Sequence, residues 1–413
     1  MKLTGLWRSP DFLKLWSAQT VSVFGTLMGA LQFTAVLVLE ATPLQMAVLT
    51  ASGVLPGLLF SLLAGAWVDR MARRPLLIAA DLGRALLIGS VPAAYVLDML
   101  GMEQLYAVSF LTGALSVVFD VARQAYVPAL VSREELVEAN SKLAGGESVV
   151  EVVAFSGGGW IAQLFSAIIA AAIDALTFVC SALLIWSIRR PEPARQPDGS
   201  NRALGREVLE GLGAVWRRPL LRSLAVATAA HSLGGGMIGA VILLFGVDEL
   251  AVPPGVLTTI FALGGISSVA GSMLAGKITK WMGVGRAVVA GLMLYGLSTL
   301  FIPLAQGPIP LILAFLATQQ LLGDGPWTVY EIGGASLRQG ATPPHLLGRV
   351  NSATVMFVHG TRLFGSLLAG IIGQWYGLRA VLFIATSAIL AGGVWLALSA
   401  VRNIREVADI IDG

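Results

Sequence analysis

Runs of apolar residues long enough to cross a hydrocarbon core, roughly 20 residues each, recur through the whole sequence between short polar segments. They predict helices over 12–39, 44–68, 76–97, 104–128, 143–166, 170–188, 220–246, 255–279, 287–305, 309–333, 350–374 and 378–401, twelve spans in all. The first run is too long for a signal peptide and lacks the small-residue cleavage pattern, so it reads as an uncleaved span. The longest polar segment, 189–219, interrupts the series after span 6. Its first half, from Arg189 to Asn201, is rich in proline and charge, which is linker composition. Its second half spaces Leu204, Val208, Leu212 and Val215 at helical intervals, with Arg206, Glu207 and Glu210 opposite. That pattern predicts a short helix lying on the inner membrane surface.

Composition turns the pattern into a fold class. Of 413 residues 56% are hydrophobic and 12% charged, half the charge of a typical soluble domain. Mean hydropathy is +0.80. A soluble enzyme, a nucleic-acid binder and a secreted module are excluded on that balance, and an all-α polytopic membrane protein remains. The single cysteine, Cys180, excludes a disulfide framework and a cysteine-built zinc site. Three histidines, His231, His345 and His359, leave little for a metal centre. No phosphate-binding loop of the G-x-x-x-x-G-K-[ST] kind occurs, so nothing supports drive by ATP.

The 27 lysines and arginines then supply orientation. With the N-terminus in the cytoplasm, all but four fall in cytoplasmic segments or at the cytoplasmic ends of spans. Arg84, Arg123 and Arg362 lie within spans, and Arg379 in an outer loop. This positive-inside bias predicts a multi-pass protein of the inner (cytoplasmic) membrane with both termini inside. The net charge of +3 and pI near 9.2 report topology, not nucleic acid.

The two halves repeat. At an offset of 210, Ser22, Gly25, Gly29 and Ala30 meet Ser232, Gly235, Gly239 and Ala240. At an offset of 211, Ser61-Leu62-Leu63-Ala64-Gly65 meets Ser272-Met273-Leu274-Ala275-Gly276, Asn140-Ser141 meets Asn351-Ser352, Gly159 meets Gly370, and Gln163 meets Gln374. The expected organisation is a six-helix bundle over 1–190, a central cytoplasmic loop with its short helix over 191–218, and a second six-helix bundle over 219–413. Two parallel repeats of this kind are a transporter architecture.

Between spans 2 and 3 the chain reads Gly65-Ala-Trp-Val-Asp69-Arg70-Met-Ala-Arg73-Arg74-Pro-Leu76. This resembles the G-x-L-A-D-R-x-G-R-K-x-x-L signature of the major facilitator superfamily, matched at Gly65, Asp69, Arg70, Arg73 and Arg74, with Ala72 for the usual glycine and Trp67 for the usual leucine. In the second repeat Gly276 is kept and Lys280 stands where the aspartate would be. A second segment, Arg123-Gln-Ala-Tyr-Val-Pro128 through Asn140-Ser141, with its counterpart Pro343-Pro-His-Leu-Leu-Gly348-Arg349-Val-Asn351-Ser352, is similar to the drug- and siderophore-efflux branch of that family. Antiporters of the family carry Gly-Pro-x-x-Gly-Gly in span 5, where this chain has Phe155-Ser-Gly157-Gly158-Gly159-Trp160.

The resemblance implies twelve helices in two pseudosymmetric bundles, alternating access, and a conformational latch at Gly65, Asp69, Arg70, Arg73 and Arg74. It also implies proton-driven export of an amphipathic small molecule, with no cofactor beyond the proton gradient. The expected partners are that substrate, protons and membrane lipid, with a monomer as the working unit. Import of a nutrient or flipping of a lysolipid on the same scaffold, and a non-transporting membrane sensor, are the alternatives.

Charge inside a span is costly and marks candidate function. Asp81 with Arg84 and Asp120 with Arg123 are each three residues apart and so share a helix face; both read as paired scaffold sets, Asp120 also as a gating group. Glu147 and Glu151 share a face of span 5, and Glu151 lies on the order of 12 Å past the inner boundary at 1.5 Å per residue. Arg362 occupies the position related to Glu151 by the repeat. In the family, spans 1, 4, 7 and 10 line the cavity, which places Asp324 first among candidates, beside a Gly323/Gly325/Pro326 breaker in a span that also carries Gln319, Gln320 and Glu331. His231 and His359 fall near mid-depth, where each is either a proton carrier or a histidine bonded to a backbone carbonyl. Proton-coupling candidates are therefore Asp324, Glu151, Glu147, His231, His359 and Asp120. Gln19, Phe24, Met28, Gln32, Met237, Gln320, Trp327, Met356 and Arg362 are candidates for an adaptable substrate cavity.

Overall fold

A computed structural model describes residues 5–68, 71–132, 135–190, 204–343 and 346–406. Regular structure among these is helical throughout. In the first half run α1 (Pro10–Leu27), α2 (Ala30–Leu37), α3 (Pro43–Val68), α4 (Arg73–Val96), α5 (Met102–Leu130), α6 (Leu136–Leu164) and α7 (Ala167–Trp186). There follow α8 (Leu204–Arg217), α9 (Pro219–Leu244), α10 (Pro254–Met282), α11 (Val284–Thr299), α12 (Phe301–Leu304), α13 (Ile309–Gly340), α14 (Leu347–Tyr376) and α15 (Leu378–Leu398).

Ten stretches among the described residues are long and apolar enough to cross a membrane, with α1–α2 and α11–α12 each counting as one. The long helices α6 and α13 are not among the ten. Both carry the polar residues that marked them in the sequence: Glu147 and Glu151 in α6, and Gln319, Gln320, Asp324 and Glu331 in α13.

Two local departures from the predicted spans have clear causes. The first span is broken at Gly29, whose φ of +68° lies in the left-handed region that side chains disfavour. The expected breaker in span 10 does not break α13, which runs unbroken past Pro326. The Ser267 hydroxyl of α10 donates to the Leu321 carbonyl at 2.7 Å and accepts from Gly325 N–H at 2.9 Å. It thus bridges the i, i+4 backbone pair in the turn just before Pro326, whose missing N–H would have met the Leu322 carbonyl.

Two compact units divide the chain: Met1–Ala41 with Ser52–Ser200 and Pro253–Thr259, and Thr42–Ala51 with Asn201–Val252 and Ile260–Gly413. Each therefore takes the first turns of one helix from the other sequence half. Within the first unit, a Cβ on Gly159 of α6 would stand 2.6 Å from the Pro254 carbonyl of α10. Trp160 Nε1 donates to Thr259 Oγ1 at 2.9 Å, and Gln163 Oε1 accepts from Gly255 N–H at 2.9 Å. Within the second, a Cβ on Gly370 of α14 would stand 3.1 Å from Leu44 Cα of α3. Gly159 and Gly370 are a repeat-related pair, and both are kept free of side chain by the same kind of helix approach. Gly158 has a further reason, since the Met28 backbone at the α1–α2 break fills the place of its Cβ.

The first unit's core gathers Phe12 and Leu15 of α1, Leu77 of α4, Phe119 and Tyr126 of α5, and Ile185 of α7. The second gathers Leu224 of α9, Val288 and Leu292 of α11, Tyr330 of α13, and Ile389 and Leu396 of α15. The helix predicted in the second half of the central segment is α8; the linker half, 191–203, lies outside the described residues. Arg349 Nη1 donates to Glu210 Oε2 at 2.6 Å, and Val215 joins Leu221, Ala341 and Val350 in one buried cluster. These contacts tie α8 to α9 and α14.

Candidate functional site

Three consecutive glycines shape the second unit. At Gly234 a Cβ would stand 2.6 Å from the Ala385 carbonyl of α15, and at Gly236 it would overlap the Arg362 carbonyl of α14. So α9 is drawn tightly against both neighbours. On its other side, large aromatic residues of α11 and α13 hold the helices apart. Between α9, α11, α13 and α14 lies a cavity of about 450 Å³, within the range of small-molecule sites.

Its wall is an aromatic set with charges around it. The His231 ring stacks on Trp327, with centroids 3.7 Å apart and planes 16° apart. Tyr295 stands 5.3 Å from both rings. Tyr330 lies 5.0 Å from Trp327, and its hydroxyl is 3.0 Å from Thr228 Oγ1. Such stacked pairs contribute about 1 kcal/mol each beyond burial and fix the rings rigidly. Glu331 and Arg338 of α13 and Asn351, His359 and Arg362 of α14 supply the polar wall. His359 Nδ1 lies 2.9 Å from the Val355 carbonyl. A carbonyl only accepts, so Nδ1 donates the hydrogen of this bond.

Four of the predicted residues, His231, Trp327, His359 and Arg362, thus line one cavity. Asp324 lies one turn before Trp327, with its carboxylate against Gly264 of α10, where a side chain would overlap it. Gln320 is buried beside it and donates to the Phe261 carbonyl at 2.7 Å. Met237 is buried in α9 at 1% exposure, while Met356 is exposed on α14.

In the first unit the structure brings together Gln19, Asp120, Arg123 and Glu147. Gln19 Nε2 donates to Glu147 Oε1, and Arg123 Nη1 donates to Gln19 Oε1 at 3.3 Å. Arg123 Nη2 lies 3.6 Å from Glu147 and 3.8 Å from Asp120. Glu151, one turn on, is exposed. A Cβ on Gly157 would stand 3.9 Å from the Phe24 ring, Met28 is buried at the helix break, and Gln32 is exposed beside Gly29. The Asp81–Arg84 pair forms as the spacing predicts.

Of the latch residues, Gly65 lies in α3, and Asp69 and Arg70 lie outside the described residues. Arg74 donates from Nε to the Ile185 carbonyl at 3.3 Å and from Nη2 to the Trp186 carbonyl. It therefore caps the last turn of α7, where carbonyls lack helical partners and a cation is favoured. Arg73 opens α4.

Three residues were not singled out by sequence reasoning. Tyr295 sits on span 9, outside the spans expected to line a cavity. Arg338 reads as one more positive-inside residue. Asp174 stands alone in an apolar span with no charged neighbour along its helix.

The Major Facilitator Superfamily model matches residues 15–359, and the chain belongs to that superfamily. A curated relative, the multidrug efflux pump Tap of Mycolicibacterium fortuitum, is 26% identical over 401 residues, covering 95% of this chain and 96% of that protein. Among solved structures, a point mutant of the nucleoside transporter NupG matches with a TM-score of 0.78 at 12% identity, over 94% of this chain and 99% of that one. A bacterial homologue of the iron transporter ferroportin, in an inward-facing state, matches with a TM-score of 0.75 at 18% identity, over 95% and 99%. The fold is that of a major facilitator, and the protein is a multi-pass membrane transporter.

Proposed function

Taking membership of that superfamily as its premise, we propose that the protein exports an amphipathic small molecule in exchange for protons. A monomer in the inner membrane, with both termini inside, is the working form. The observation that carries this reading is the rigid His231–Trp327 stack in a 450 Å³ cavity rimmed by Glu331, Arg338 and Arg362. The flat aromatic wall suits a ring system, and the mixed charges suit a polar head. Likeness to a multidrug efflux pump supports export of drug-like molecules over a single nutrient.

In this cycle a proton and the substrate compete. Protonation of Asp324, one turn from the stack, or of Glu151 discharges the substrate outward, and deprotonation inside readmits it. Alternating access does the rest, with one bundle rocking against the other.

The test is transport by purified protein in proteoliposomes under an imposed pH gradient, with a panel of macrolides, siderophores and lysolipids. Accumulation in inverted vesicles is expected, and uptake by right-side-out vesicles would turn the direction to import. Gradient-driven transport surviving in both Asp324→Asn and Glu151→Gln would sink the coupling assignment.

A further inference from the structure

Among the described residues the most deeply buried charges lie outside the cavity, where α4 packs on α7 with α5 and α1 beside them. Asp81, Arg84 and Asp174 are 0%, 3% and 4% exposed. The Arg84 guanidinium sits between the rings of Phe119 and Phe178, 4.4 and 4.5 Å from their centres. Its Nη2 donates to Asp81 Oδ1, and its Nη1 to Ser116 Oγ at 3.3 Å. Asp174 interacts electrostatically with the same guanidinium. Yet Asp174 Oδ1 is buried with no hydrogen-bond partner, while Asp81 has the Ser181 hydroxyl of α7 and the Ser22 hydroxyl of α1 beside it.

Among the described residues nothing else nearby balances the second carboxylate. The Thr177 hydroxyl donates to the Asp174 backbone carbonyl at 2.6 Å, turning its hydrogen away from the carboxylate. From α1 the site meets Gly25, where a Cβ would overlap both Thr177 Oγ1 and Asp174 Oδ1, and the Ser22 hydroxyl. Helix α2 carries no charged side chain. From α5 comes another carboxylate, Asp120, within the field of Arg84 and itself 3.8 Å from Arg123. Through Arg123 the α6 carboxylate Glu147 is 3.6 Å away. Two enclosed carboxylates therefore face one enclosed cation. An ionised carboxylate held this way without its own partner carries a large desolvation penalty, which binding a proton removes.

We propose that Asp81, Arg84 and Asp174 form a proton-binding site within the first unit. The two carboxylates share one proton, and Arg84 pairs with whichever is ionised. In the arrangement described Arg84 is bonded to Asp81, so the proton resides on Asp174. Release is simple dissociation: the Asp174 carboxyl O–H breaks, the electron pair stays on the carboxylate, and the proton passes to water. The site thus places an exchangeable proton away from Asp324 and Glu151. Its use in transport rests on the proton-coupled reading above, but its existence does not.

Infrared spectroscopy of the full-length protein in lipid bilayers, without substrate or gradient, tests it. A protonated-carboxyl stretch that shifts on labelling with 13C-aspartate is expected at neutral pH. Asp174→Asn should remove one component. Asp81→Asn should remove it as well, because Arg84 then balances the single carboxylate left. Asp324→Asn and Glu151→Gln should retain it. Persistence of the full band in either Asp81→Asn or Asp174→Asn would overturn the shared-proton site. So would a wild-type spectrum with no 13C-sensitive component, a reading that stands even if a variant fails to fold. A wild-type protein that transports without any response to the pH gradient, with the infrared pattern intact, would count against the coupling scheme and leave the site standing.

Discussion

In the first unit Arg84 is enclosed by two phenylalanine rings and Arg123 by a glutamine and two carboxylates. In the second, Arg338 and Arg362 stand in a cavity wall beside rings stacked on one another. The same costly residue type is thus used in two ways. Where an arginine is sandwiched and bonded, its removal strands its partners, and its effect falls on folding. Where it borders an open volume, its removal leaves water in its place, and its effect falls on what the volume holds.

The largest expected effect tests the enclosed side. Arg84→Met leaves two buried carboxylates without their cation, and breaking a buried ion pair costs about 3–5 kcal/mol. Against a total of roughly 5–15 kcal/mol, that predicts a severe drop in folded yield by size-exclusion chromatography in detergent. Arg362→Met should leave the yield near wild type. Equal losses for the two variants would break the comparison.

Next comes Trp327→Ala, which removes the partner of the His231 stack. Loss of a central aromatic anchor costs about 2 kcal/mol of binding, some thirtyfold in Kd. Binding of a transported compound, followed by calorimetry, should weaken by that order, with a lowered melting temperature as well because three ring pairs are lost. A wild-type affinity would remove the cavity from the substrate path.

The smallest effect sharpens the boundary between the two cases. Arg349 and Glu210 form a good bond at 2.6 Å, but both side chains are more than a third exposed. Glu210→Gln should cost only about 0–1 kcal/mol, read as a small shift of the thermal midpoint that salt diminishes in the wild type. A loss as large as that of Arg84→Met would mean that α8 is held mainly by this pair and not by its apolar face.

Much of the fold was legible because its signals are local. Span length and hydropathy mark the long helices, and helical spacing marks α8. A separation of three residues predicts Asp81–Arg84 and Asp120–Arg123, both of which form. The repeat offset paired Gly159 with Gly370, though not the helix that each meets. The site was less legible because cavities are made by neighbours distant in sequence. His231, Trp327, His359 and Arg362 were visible as polar or aromatic residues at depth, but Tyr295 and Arg338 gain their meaning only when α9, α11, α13 and α14 assemble. Asp324 turns toward α10 because Gly264 leaves room for its carboxylate there, a fact written on another helix. Asp174 had no local partner to reveal it.

That isolation has a consequence for how the protein is made. Arg84 emerges in the same span as Asp81, one turn away, so the segment enters the bilayer with its opposite charges already beside each other. Asp174 follows three spans later on a segment with no basic residue from Ala167 to Trp186. At the centre of an inserting helix an ionised aspartate costs about 3 kcal/mol on translocon scales, set against a strongly apolar run of alanine, isoleucine and leucine. The order of synthesis therefore puts the cation in place first, and the last helix of the first half arrives at a site already waiting for its acid.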